Sequence, residues 1–144
     1  MPGLVLPAYF SYYKSPVKMV GTPEGGIKAW RLSHDTGGWE PADDLIEEIL
    51  FAVGGEISSL TVDSFVEWTE HDRGRYLRGR GPVFALYETI RGIVENAQAE
   101  GRQLTTKELA LVRGIRRRTF VMFEEELQRA GDPAADPSLA EQSS

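Results

Sequence analysis

The sequence predicts an α+β fold, a small N-terminal antiparallel sheet of two or three strands followed by four or five helices. Through residue 40, aromatic and β-branched residues lie between Gly and Pro punctuation without a 3.6-residue apolar period, and from Pro41 onward that period takes over. A length of 144 residues, with 41% hydrophobic content, supports one core and is too short for two full domains. The chain therefore reads as a single compact domain over 1–131, with sheet and turns in 1–40, helices in 41–100, a helix pair in 104–131 and a disordered tail in 132–144.

The strands come first. Val17 to Val20 and Ile27 to Leu32 flank GTPEGG, where Pro23 suits an early turn position and Gly25 and Gly26 accept positive φ, so this is a hairpin. Leu4 to Tyr13 offers a third strand, in which Pro7 suits an edge or a bulge. A turn follows over Asp35 to Trp39. Pro41, Asp43 and Asp44 then open a helix whose stripe is Leu45, Ile46, Ile49, Leu50 and Val53, stopped by Gly54 and Gly55. Thr61 is the N-cap of a second helix ending before Arg78 to Pro82, and Val83, Tyr87, Ile90, Val94 and Ala97 make the stripe of a third, closed by Gly101. The tail after Gly131 has no apolar period.

Composition excludes several classes. There is no cysteine, which removes disulfide scaffolds, thiolate zinc sites and cysteine nucleophiles. No apolar run reaches the roughly 20 residues of a membrane span, and the opening MPGLVLPAYFSYYK lacks a secretory n-region; a cytoplasmic protein without a membrane partner is expected. Sixteen basic against 22 acidic residues, net −6, argue against a generally basic nucleic-acid coat. The charge is unevenly placed. Residues 101–118 carry six basic side chains against Glu108 alone, whereas 119–144 carry Arg129 against six acids.

Residues 104–131, LTTKELALVRGIRRRTFVMFEEELQRAG, concentrate the functional signal. Thr105 or Thr106 caps a short helix, Gly114 allows a turn, and a second helix opens on Arg116, Arg117, Arg118 and Thr119. Ala110, Gly114 and Ile115 with Phe120 and Phe123 supply the small and apolar residues that close such an angle. The run ELALVRGIRRRTF, with Leu127, Ala130 and Gly131, resembles the recognition core of helix-turn-helix and winged helix-turn-helix regulators, without a strand pair for a wing. The resemblance implies DNA binding through Lys107, Arg113, Arg116, Arg117, Arg118 and Thr119, with guanidinium groups meeting phosphates and base edges. The other reading is one unbroken amphipathic helix from Thr106 to Ala130, carrying Gly114 at a cost of about 1 kcal/mol and suited to packing on a partner.

Catalytic signals are sparse. His34-Asp35 and His71-Asp72 bring imidazole beside carboxylate, and Glu67 and His71 share a helix face, yet no zinc-peptidase spacing is present. Asp43, Asp44, Glu47 and Glu48 form i,i+4 carboxylate pairs that suit a helix N-terminus. GTPEGG lacks the Lys-Ser/Thr ending of a phosphate loop, and RGRGP (78–82) reads either as an anion contact or as an interhelical loop. Tyr9, Phe10, Tyr12 and Tyr13 cluster in a strand, two facing each side. No cofactor, metal or catalytic residue is expected. The leading expectation is a non-enzymatic DNA-binding regulator; the alternative is a protein-binding adaptor, inhibitor or immunity-type module, with a protein partner or a second copy of the chain.

Overall fold

The computed structural model describes residues 4–51 and 55–142. Its class is the expected α+β, but the sheet has five strands rather than two or three: β1 (Ala8–Tyr12), β2 (Ser15–Gly21), β3 (Ile27–Leu32), β4 (Trp39–Pro41) and β5 (Ile57–Leu60). They are antiparallel throughout, in the order β4-β3-β2-β1-β5. The hairpin at GTPEGG forms, with Gly25 at φ +85 and the Thr22 amide donating to the Gly26 carbonyl at 3.0 Å. Tyr13 and Lys14 join β1 to β2 with positive φ at both residues, the backbone twist that two-residue hairpin turns require. Trp68 Nε1 donates to the Lys14 carbonyl at 3.0 Å, tying this turn to a helix.

The helix expected from Pro41 is much shorter. A 3-10 turn, Asp43–Leu45, leads into α1 (Ile46–Phe51). Val53 and Gly54, expected to close that helix, lie outside the described residues. The strand β5 then occupies part of the expected helical region; Ile57, Ser58, Ser59 and Leu60 lack a 3.6-residue stripe because they complete the sheet beside β1. Asp43 is structural. It accepts from the Ala29 amide at 2.8 Å and from Lys28 at 2.9 Å, and these donors, the amide foremost, hold its carboxyl below the usual range.

Three long helices follow: α2 (Val62–Tyr76), α3 (Pro82–Ala99) and α4 (Thr106–Arg129), then a short α5 (Leu139–Gln142). Thr61 caps α2 as expected, accepting from the Ser64 amide at 3.1 Å. No helix among the described residues is long and apolar enough to cross a membrane.

Strand alternation divides the core in two. Val17, Met19 and Ala29 face α1 with Ala42 and Ile49, whereas Tyr9, Leu32 and Trp39 face Phe65 and Val66 of α2, Phe120 of α4, and Ala134, Leu139 and Ala140. Residues 132–142 are therefore no disordered tail. They pack on the sheet because their few apolar side chains reach the larger cluster, and because Asp132 Oδ2 accepts from the Trp39 amide at 3.0 Å.

A charged network lies within this second core. Arg73 is fully buried; its Nε and one terminal nitrogen donate to the Gly37 carbonyl at 2.9 and 2.8 Å, and it pairs with Glu70 at 2.8 Å and Glu124 at 2.5 Å. Trp39 Nε1 and the Asp136 amide also donate to Glu124, and the Tyr87 hydroxyl donates to Glu70 at 2.8 Å. Lys18, 3% exposed, donates to the Ala134 carbonyl, so two buried cations face two buried carboxylates. Burial opposes the Arg73 charge, but Glu70 and Glu124 outweigh it and hold the guanidinium protonated. Burial pushes the Glu70 carboxyl up and the Lys18 ammonium down. Gly37 sits at φ +78 where a Cβ would lie 2.6 Å from both Leu77 and Phe123, so glycine is what lets this carbonyl meet Arg73.

Candidate functional site: a furrow along the second helix

The turn expected at Gly114 does not form. Helix α4 runs unbroken for 24 residues. A capping box starts it: the Glu108 amide donates to Thr105 Oγ1 at 3.1 Å, and the Thr105 amide donates to Glu108 Oε1 at 2.9 Å. The Arg102 guanidinium, with the Thr105 amide, holds the Glu108 carboxyl down at about 2. Val112 is buried before Gly114, and Thr119, Phe120 and Glu124 after it, all on one face. Packing of that continuous stripe outweighs the roughly 1 kcal/mol that an exposed helical glycine costs. The helix-turn-helix geometry is thereby corrected to a single rod.

That rod separates the six expected contact residues. Thr119 is fully buried, its hydroxyl donating to the Arg116 carbonyl at 3.1 Å, so it cannot touch a ligand. Arg116 turns inward and pairs with Glu67 of α2 at 3.1 Å. Lys107, Arg113 and Arg118 are exposed and Arg117 is half-buried. Among the described residues no carboxylate lies within 4.0 Å of these four cations.

The inward side of α4 builds something the sequence did not disclose. Leu109, Val112, Arg113 and Arg116, spaced 3, 1 and 3, face Asp63, Ser64, Glu67, Trp68 and His71 of α2 across an open groove of about 600 Å³, with Val94 and Leu104 beside them. At His71, Val94 and Arg116 the groove meets a second crevice of about 260 Å³ between α2 and α3, lined by Arg75, Arg78, Tyr87, Ile90 and Arg91. Together they form a furrow along α2 in which apolar and charged side chains mix at both ends: Trp68, Leu109 and Val112 beside Asp63, Glu67 and Arg113 at one, Tyr87 and Ile90 beside Arg75, Arg78 and Arg91 at the other. Arg91 and Arg78 donate to the Gly74 carbonyl at 2.7 and 3.4 Å, satisfying the C-terminal end of α2 while keeping their charge at the rim. Arg116 Nε is buried without a hydrogen-bond partner among the described residues.

The two histidines come together through Asp72, the neighbour of His71 in sequence, which His34 reaches instead of its own neighbour Asp35. His34 Nε2 lies 3.0 Å from Asp72, His71 Nδ1 lies 3.4 Å from the other oxygen of the same carboxylate, and the His34 ring stacks on Tyr76 at 4.1 Å. Asp35 stays exposed in its turn. No group of three or more metal-ligating side chains is arranged for a metal among the described residues. Of RGRGP, Arg78 lines the cationic crevice, whereas Arg80 lines a different hollow beside Phe84 and Phe123. Only Arg78 in that loop carried a sequence signal for the furrow, since Arg91 reaches it through the packing of α3 on α2. No family model, no curated protein and no solved structure matches the chain.

Proposed function

We propose that the chain is a non-catalytic protein-docking module whose furrow along α2 receives a partner segment bearing an apolar anchor and acidic side chains. One observation carries this reading: Trp68, Leu109 and Val112 line the same furrow as Arg75, Arg78 and Arg113, three arginines with no carboxylate within 4.0 Å among the described residues. Leu109 is 41% exposed at the groove wall, an anchor position open to solvent. Arginine rims favour carboxylates through paired, planar donors.

The test is selection of displayed random peptides on the immobilised full chain, with Leu109→Glu as the comparison. Acidic peptides with apolar anchors are expected to be enriched, and to bind Leu109→Glu at least about tenfold more weakly. A library that yields no enriched sequence, or one indifferent to Leu109→Glu, would refute the furrow as the docking site.

Nucleic-acid binding is the second reading, supported by Lys107, Arg113, Arg117 and Arg118 on the unbroken helix, which have no carboxylate within 4.0 Å among the described residues. It gives a different result: a duplex oligonucleotide would bind wild type and Leu109→Gln alike, with affinity falling steeply in salt and lost on replacing Lys107, Arg117 and Arg118 with glutamine.

A further inference from the structure

The outer face of α4 carries a second pattern, independent of the furrow. Lys107, Leu111, Gly114, Arg118, Val121 and Glu125 recur at spacings of 4, 3, 4, 3 and 4, the seam of a left-handed helix pair. All are exposed except Val121, which is half-buried at the edge of the seam and packs partly against the larger core cluster, and Leu111 is 53% exposed. Because the helix passes through Gly114 without a break, the seam is one straight stripe about 27 Å long.

Its order is self-complementary. Place a second α4 antiparallel, with the twofold axis level with the midpoint between Gly114 and Arg118, and each seam residue meets a seam residue of the other copy. Lys107 meets Glu125, Leu111 meets Val121, and the stem of Arg118 crosses Gly114, where no side chain obstructs it; each contact then occurs twice. Neither Lys107 nor Glu125 has an ion-pair partner within 4.0 Å among the described residues, Arg129 acting on Glu125 only at longer range, so both can pair across such an interface. Charge favours this arrangement at its two Lys107–Glu125 pairs and opposes it at the axis, where Arg117 and Arg118 of the two copies approach, whereas the parallel arrangement sets every cation level with its own copy. We infer that the occupant of this face is a second copy of the chain, docked α4 against α4 in antiparallel register.

One helical seam buries less than the usual 800 Å² or so per partner, so the dimer is weak, with a dissociation constant of about 10–100 µM. Sedimentation velocity on the full chain from about 5 to 500 µM spans that range. Lys107→Glu and Glu125→Lys are each expected to weaken the dimer about tenfold, and the double variant, which rebuilds both pairs with reversed sign, to return within about threefold of wild type. Circular dichroism of each variant controls for folding. A chain that stays monomeric throughout, a dimer indifferent to the single reversals, or a double variant as weak as the singles would each overturn the inference.

Discussion

Arg73→Leu is expected to cost about 3–5 kcal/mol of folding stability, measured by urea unfolding followed through tryptophan fluorescence. The side chain is fully buried and makes two hydrogen bonds to the Gly37 carbonyl, one ion pair with Glu70 and another with Glu124. Leucine removes the cation and leaves both carboxylates in the core, with Lys18 the sole remaining buried cation facing them among the described residues. The loss also strands the Gly37 carbonyl at a turn that positions Trp39 over Phe65, the two rings stacked at 5.5 Å. Whole domains are stable by only about 5–15 kcal/mol, so this variant approaches unfolding at ambient temperature. Arg73→Lys should recover part of the loss, since it restores charge but not the fork that serves three acceptors at once. A loss below about 1 kcal/mol for Arg73→Leu would mean that the network contributes little to holding α2, α4 and the turn together.

Ending the chain after Gly131 is expected to cost a comparable amount, about 3–6 kcal/mol, seen as a lowered melting temperature and new binding of a hydrophobic dye. Truncation uncovers Tyr9, Trp39 and Phe65 by removing Ala134, Leu139 and Ala140. It also takes away the Ala134 carbonyl from the buried Lys18, the Asp136 amide from Glu124 and the Asp132 carboxylate from the Trp39 amide. Each stranded polar group costs about 1–3 kcal/mol unless water reaches it. An unchanged melting temperature would show that the segment is dispensable, as its composition suggests.

The contrast between that composition and its packing shows what a single sequence conveys. Local signals read well. Gly25 marks the hairpin turn with its positive φ, which Gly26 does not share, Thr61 marks the start of α2, and the Val83 to Ala97 stripe marks α3. Features resting on distant partners did not read. Residues Ile57 to Leu60 are a strand because β1 offers an edge, and DPAADPSLA is ordered because Lys18, Trp39 and Glu124 receive it. The buried role of Arg73 was hidden because Glu124 lies 51 residues away. At the candidate site, the sequence located the cations on α4 but not their directions. Arg116 and Thr119 turn inward because they follow Val112 at intervals of 4 and 7, on the stripe that packs against α2 and α3. Gly114 misled for a related reason: glycine permits a turn without requiring one, and Phe120 and Glu124 are buried only if the helix continues.

The sign of the stability change in Gly114→Ala decides whether α4 is a rod or a bent pair. Gly114 lies in the helix interior, and a Cβ there would meet no atom within 4 Å. Alanine in dilute solution is therefore expected to stabilise the chain by about 0.5–1 kcal/mol, through the lower backbone entropy of its unfolded state. A loss of about 1 kcal/mol or more would place a left-handed glycine at this position, break the helix, and remove both the α2–α4 furrow and the antiparallel seam.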